Sequence, residues 1–178
     1  MTSRRWLADV RVKAESASGG ALDLLSDLTL GPLVGRFEAG GVLTGVVAEQ
    51  LDRWQLSVVT VADQRITVPR IAAPAGSAVR LRIRARDVAL QREVLASSAS
   101  NQLVATVLRV LEREPPYAAV ELGLTPAAAA GERLWALVTQ RSVQNLAITP
   151  GQPMVASFKA VAVESRAAAV HTEANASP

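Results

Sequence analysis

The chain has 178 residues, of which 49% are hydrophobic and only 3% aromatic, and its formal net charge is +3 with a sequence pI of about 10.2. It has no cysteine and one histidine, His171, so disulfides, thiolate or histidine metal sites and a Ser-His triad are excluded, and we expect no enzyme. The basic excess favours an anionic partner such as a nucleic acid, an anionic lipid or a small oxyanion, although composition alone does not distinguish these from a solvated basic surface.

Residues 1–36 are predicted to be a linker-like segment. A Ser/Gly patch at residues 16–20 precedes a short helical stretch at residues 21–26, where Leu22 and Leu25 have helical spacing. The chain contains no run of about 18 apolar residues, and no apolar stretch follows the two N-terminal arginines. We therefore expect neither a membrane span nor a signal peptide, and the expected compartment is the cytoplasm.

Short alternating runs of Val, Leu and Ile with Pro/Gly turns predict β-strands from residue 41 to residue 163. No helical linkers separate them, which favours two small β-barrels over a parallel sheet. The predicted strands are residues 42–50, 56–61, 64–68, 79–88, 102–112, 118–122, 134–139 and 153–163. One helical turn is expected at residues 141–146, with Ser142 near its start as a cap. The barrels are assigned to residues 37–95 and 96–164, and residues 165–178 to a disordered tail, with loss of pattern from Glu164 onward.

The two barrels are predicted to be copies of one unit. When Gly76 is set against Gly151, each is followed by an extended strand, and Arg84 falls on Lys159. A chance match of two Ala/Val-rich stretches is the alternative. Duplication is preferred because the turn, the strand and the basic residue coincide.

Four arginines, at positions 80, 82, 84 and 86, alternate with apolar residues, so a strand would carry all four on one face. The face is either an anion or nucleic-acid surface, or a solvent face whose long side chains cover a barrel wall. We prefer the second interpretation for all of them except Arg84, because the repeat places Arg84 opposite Lys159.

Three other groups are candidate ligand contacts. Lys159 lies in an otherwise apolar strand, where both ligand contact and simple extension into solvent stay open. The serines of residues 97–101 offer hydroxyl and N–H donors suited to a tetrahedral oxyanion, although an ordinary linker is the preferred interpretation from composition. Thr139 and Ser142 leave a strand and enter the helical turn, where they either face an anion or only cap the helix.

These segments, taken together, resemble the Mop/TOBE domain. The resemblance is carried by Ser98-Ala99-Ser100-Asn101-Gln102-Leu103, Thr139-Gln140-Arg141-Ser142, Gly151, Phe158-Lys159-Ala160, and the run at residues 79–88, which is similar to runs in molybdate-transporter ATPase subunits. It covers residues 37–163. It implies an all-β fold of two tandem OB-like barrels, pairing of two chains, and molybdate or tungstate bound at the interface between barrels.

The same resemblance implies a set of ligand contacts. They are Ser98, Ser100, Thr139, Ser142, Lys159 and Ala160, with backbone N–H groups near Ser100 and Ala160, and with Arg84 and Asn101 as secondary candidates. This chain has Ser100 where some members, notably the molybdate-responsive regulators, have Arg, a difference that either weakens the site or makes Lys159 the main source of positive charge. No metal site is expected, because molybdate binds as an oxyanion.

The leading hypothesis is therefore a molybdate- or tungstate-binding protein linked to molybdate transport or intracellular molybdenum homeostasis. We expect a homodimer, peripheral at the inner face of the membrane where it meets a transporter ATPase or permease. No Gly is followed by Lys, so the phosphate-binding loop of an ATPase is absent and no ATP site is expected.

Two alternatives stay open. One is a ligand-free regulatory adaptor that docks on a transporter ATPase. The other is an OB-type nucleic-acid binder, which ranks last because none of the six aromatic residues alternates with the arginines to stack bases. No helix-turn-helix is readable, so no DNA partner is expected.

Overall fold

The computed structural model describes residues 40–124 and 131–167, and more than half of these lie in β-strands. The strands are β1 Gly40–Leu51, β2 Leu56–Val61, β3 Gln64–Pro69, β4 Ala78–Arg84, β5 Ala89–Gln91, β6 Asn101–Glu112, β7 Tyr117–Gly123, β8 Arg133–Thr139, β9 Pro153–Phe158 and β10 Val163–Ala167. Helix α1 spans Gln140–Asn145, and 3-10 turns lie at Asp52–Trp54, Ala85–Asp87 and Ala160–Ala162. The predicted all-β class, with a short helix in the second copy, is confirmed. The helical stretch predicted at residues 21–26 lies outside the described residues.

The strands form two five-stranded sheets of identical plan. The orders are β10-β4-β1-β2-β3 and β5-β9-β6-β7-β8, and every pairing within them is antiparallel. Each sheet takes four strands from one copy and its last strand from the other. The two copies therefore exchange their final strands.

The repeat is visible in the backbone. Gly76 and Gly151 both have positive φ, +89° and +84°, and each donates its N–H to a strand carbonyl 2.8 Å away, that of Val47 or Val107 respectively. The strand register shifts directly after Val47 in β1 and after Val107 in β6, so the same irregularity occurs in both copies. An added Cβ at either glycine would meet no atom within 4 Å, so the backbone conformation rather than space favours glycine there.

The long strands predicted at residues 79–88 and 153–163 are wrong as single strands. The turns Ala85–Asp87 and Ala160–Ala162 break them, and beyond each break the chain enters the other sheet. At the first break the alternation of apolar and polar residues continues as far as Arg86, because Ala85 in the turn is still a buried apolar residue, although it packs on the other sheet. The pattern loss expected from Glu164 onward also begins too early, since residues 164–167 pair with β4 as part of β10.

Inward side chains of both sheets form one continuous core. It includes Leu43, Ile66 and Leu81 from the first copy and Leu122, Leu134 and Phe158 from the second, all almost fully buried. Removing such a side chain typically costs about 2–5 kcal/mol. The predicted boundary after residue 95 divides the sequence into two copies. It does not divide the structure into two separate cores, because both copies contribute to one core and to both sheets. Among the described residues, no helix is long and apolar enough to cross a bilayer.

Candidate oxyanion site

Two hydroxyl groups lie side by side where β8 passes into α1. Thr139 is still in the extended conformation, and its Oγ1 accepts a hydrogen bond from the backbone N–H of Ser142 at 3.0 Å. Thr139, rather than Ser142 as predicted, therefore caps the helix, because the last extended residue is the one whose side chain reaches the free N–H groups. The Oγ atoms of Thr139 and Ser142 are 2.8 Å apart, so one hydroxyl can donate to the other and leave one proton for a ligand.

These hydroxyls line an open cavity of about 590 Å³. Tyr117, Leu137 and Leu146 supply apolar wall on the side of the second copy. Residues 86–90 of the first copy form the opposite wall, because strand exchange carries them onto this sheet. A largely apolar cavity with a few converging polar groups is the usual form of a small-ligand site.

Lys159 lies away from the cavity that Thr139 and Ser142 line. It lies directly before the turn Ala160–Ala162, which packs against β3 of the first sheet. Its side chain is exposed and forms no hydrogen bond or ion pair within residues 40–124 and 131–167, and it does not line the cavity of Thr139. Ala160 beside it is partly buried.

The predicted serines lie at the same end of the second sheet as Lys159. Asn101 pairs with Phe158 at the last rung of the β6–β9 ladder, so Ser100 and Lys159 are the next residues beyond that rung. Ser98 and Ser100 are exposed, and their hydroxyls make no hydrogen bond to the described part of the chain. The predicted contacts thus fall into two groups: Thr139 and Ser142 form one, and the β6–β9 end forms the other.

The secondary candidates are both engaged in the structure. The Asn101 side chain is 1% exposed, and it both accepts from and donates to the backbone of Thr67 on β3. Arg84 Nη2 lies 2.5 Å from Glu164 Oε1, and Arg82 shares the same carboxylate at 3.4 Å. Hydrogen bonding to Arg84 is the main reason that the pKa of Glu164 is lowered.

Arg86 is the residue that sequence reasoning missed. The predicted one-faced arrangement holds for Arg80, Arg82 and Arg84, which alternate with buried residues on β4. Arg86 leaves that face because it lies in the turn Ala85–Asp87, and it lines the cavity of the two hydroxyls instead. The continuing alternation gave no sign of this turn.

A buried carboxylate in the sheet beside the cavity is paired with two partly exposed arginines. Glu121 on β7 is 2% exposed and is paired with Arg109 and with Arg133, the latter at 3.0 Å. The Arg109 guanidinium also lies over the ring of Trp135, 5.5 Å from its centroid, and the Trp135 Nε1 is buried without a hydrogen-bond partner in the described residues. Two cations pair with the buried carboxylate, so loss of either arginine would leave the carboxylate's charge less compensated in the sheet that ends at Thr139.

Residues 97–164 match the sequence model of the TOBE domain family. The matched range covers the second copy and contains every primary contact predicted above: Ser98, Ser100, Thr139, Ser142, Lys159 and Ala160.

The similar proteins are longer than this chain. The chain is 37% identical over 150 residues to the molybdenum import ATP-binding protein ModC 1 of Azotobacter vinelandii. The aligned stretch covers 83% of this chain and 40% of that protein. It is 34% identical over 166 residues to ModC of Rhodobacter capsulatus, or 90% of this chain and 45% of the relative. The chain therefore spans less than half the length of these relatives.

A solved structure has the same fold. It is the molybdate-bound crystal form of the cytoplasmic molybdate-binding protein ModG, with a TM-score of 0.58 and 22% identity. The match covers 71% of this chain and 95% of that chain. At this identity the likeness concerns the fold alone.

Proposed function

We propose that the chain binds molybdate or tungstate and serves molybdate transport or intracellular molybdenum homeostasis. The observation that carries the proposal is the pair of hydroxyls of Thr139 and Ser142, which lie 2.8 Å apart in an open cavity and within the range that matches the TOBE domain. Hydroxyl and amide donors suit a tetrahedral oxyanion, and charge-assisted hydrogen bonds strengthen its binding. The names of the ModC relatives and of ModG support molybdate as the ligand.

The binding site is proposed to lie between two copies of the chain. Within one chain Lys159 is not at the cavity of Thr139 and Ser142, although the family resemblance places all three on one ligand. A second copy whose β6–β9 end faces this cavity would bring Lys159 and Ser100 to the two hydroxyls. The exposed, unpaired Lys159 side chain is suited to such a contact, and the simplest assembly is a two-fold homodimer.

The partner and the compartment are proposed from the relatives. Because the matched proteins are molybdenum import ATP-binding proteins, a transporter ATPase or permease is the proposed macromolecular partner. ModG is described as cytoplasmic, which supports the cytoplasm as the compartment.

A ligand-free adaptor is the second candidate. It is favoured by the separation of Lys159 from Thr139 within one chain and by Ser100 in place of an arginine. In that case the domain would dock on a transporter ATPase with the same affinity whether or not molybdate is present. A pull-down of the ATPase in the presence and absence of molybdate measures this.

Isothermal titration of the chain with molybdate, tungstate and sulfate tests the proposed function. We expect molybdate and tungstate to bind more tightly than the smaller sulfate, and Lys159→Ala to lose most of the affinity. Arg166→Ala is the matched control, because it removes an exposed cation on β10 away from the cavity. Equally weak heats for all three anions would contradict the proposal.

A further inference from the structure

Strand exchange brings a positive charge to the two hydroxyls from within the same chain. The turn Ala85–Asp87 belongs to the first copy but packs on the second sheet, where Ala85 is buried against Ala119 and Trp135. This contact anchors the turn. The next residue, Arg86, consequently lies in the wall of the cavity that holds Thr139 and Ser142.

Arg86 is available for a ligand. It is exposed and has no hydrogen bond or ion pair with any residue that the structure describes. The neighbouring Arg82 and Arg84, by contrast, share the carboxylate of Glu164. Among the described residues that line the cavity, Arg86 is the one cation, and Asp87 is the one carboxylate.

The fold itself does not require an arginine at this position. The repeat makes Val161 the counterpart of Arg86, in the equivalent turn Ala160–Ala162. Val161 is 80% exposed there, so the turn forms with an aliphatic side chain that has no polar role. The turn therefore does not account for an arginine at position 86, whereas a role at the cavity that Arg86 lines would.

We infer that Arg86 supplies a positive charge, in addition to that of Lys159, that helps to hold an oxyanion at the hydroxyls of Thr139 and Ser142. The inference rests on the proposed function and adds a cation that acts from the same chain, whereas Lys159 would act from the second copy. The planar N–H fork of an arginine fits two oxygens of an oxyanion at once. Asp87 in the same wall opposes anion binding and limits the affinity.

Titration of the full chain with sodium molybdate tests this role. Arg86→Gln is expected to lower the association constant about tenfold or more, because a charge-assisted hydrogen bond is lost. Arg80→Gln is the control, because it makes the same change of net charge at an exposed arginine outside the cavity. It should change the association constant for molybdate by less than about twofold. Asp87→Asn should strengthen binding. Arg86→Val is a second variant, because the equivalent turn of the second copy already forms with valine, Val161, at this position.

The possible failures are distinguishable. If the wild type binds molybdate and both Arg86 variants bind it equally well, the role of Arg86 is wrong and the proposed function stands. If Arg80→Gln weakens binding as much as Arg86→Gln, the effect is general attraction and the assignment of Arg86 to the site is again wrong. If the wild type binds none of molybdate, tungstate and sulfate, the proposed function and the inference both fail.

Discussion

The Asn101 side chain joins the two sheets through two hydrogen bonds to the backbone of Thr67, in the way that a neighbouring strand would pair with it. Its Oδ1 accepts the Thr67 N–H at 2.7 Å, and its Nδ2 donates to the Thr67 carbonyl at 2.8 Å. Asn101 begins β6 and Thr67 lies in β3, so the side chain connects the first strand of one copy to an edge strand of the other.

We expect Asn101→Ala to lower the free energy of unfolding by about 1–3 kcal/mol, because two partly buried backbone groups lose their partner. Asn145→Ala, at the exposed end of α1, is the control and should change it by less than about 0.5 kcal/mol. Urea unfolding of the two variants measures the difference. Equal stability of the two would show that the Asn101 contact does not hold the sheets together.

Ser142 separates ligand binding from helix capping. Because Thr139 accepts from the backbone N–H of Ser142, Ser142→Ala keeps the cap and removes only the hydroxyl. We expect its stability to stay within about 0.5 kcal/mol of the wild type while molybdate affinity falls about tenfold. Thr139→Val removes both cap and hydroxyl, and should also cost about 1 kcal/mol of stability. Unfolding curves and titrations on the same samples check this, and unchanged affinity in Ser142→Ala would remove that hydroxyl from the site.

We expect the half-buried Glu132 to lower the free energy of unfolding as the pH rises. Burial raises the pKa of this carboxyl above its usual range, and the hydrogen bond from the Thr44 N–H only partly offsets the effect. The folded state therefore disfavours the ionised form. The contribution of Glu132 to stability is most favourable below the ordinary pKa of about 4.3 and falls as the pH rises through the raised pKa. Glu132→Gln should remove this component, and unfolding free energies of both proteins from about pH 4 to pH 7 measure it.

Glu164 provides the comparison of opposite sign. Its pKa is lowered, first by the hydrogen bond with Arg84, so its contribution is present above the ordinary pKa and is lost as the pH falls through the lowered value. In Glu164→Gln this acid-side loss should be absent. If Glu132→Gln and wild type have parallel pH profiles, the assignment of the first effect to Glu132 is wrong.

The sequence was sufficient for the repeat and for most strands, since glycine turns and apolar alternation are local features. It was insufficient for the strand exchange, because Val79, Leu81 and Ile83 are followed by Ala85 in the same alternation although Ala85 packs on another sheet. Arg86 was assigned to solvent for the same reason. Residue spacing carries no information on which sheet a strand joins after a turn.

The site residues show the same limit. Thr139 and Ser142 are close in sequence, and their contact follows from local geometry. Whether Lys159 meets them depends on the pairing of copies, on which neither composition nor spacing bears. The role of the six predicted contacts therefore stays a prediction that binding measurements decide.

Mixing two inactive variants tests the shared site most directly. In a two-fold dimer whose sites combine Thr139 of one chain with Lys159 of the other, neither Thr139→Val nor Lys159→Ala should bind molybdate well alone. After equal amounts are unfolded together and refolded, random pairing makes about half of the dimers mixed, each with one intact site, so about a quarter of the wild-type sites should return at wild-type affinity. Recovery of no sites, from variants that each fold and pair, would contradict a molybdate site built from two copies of this chain.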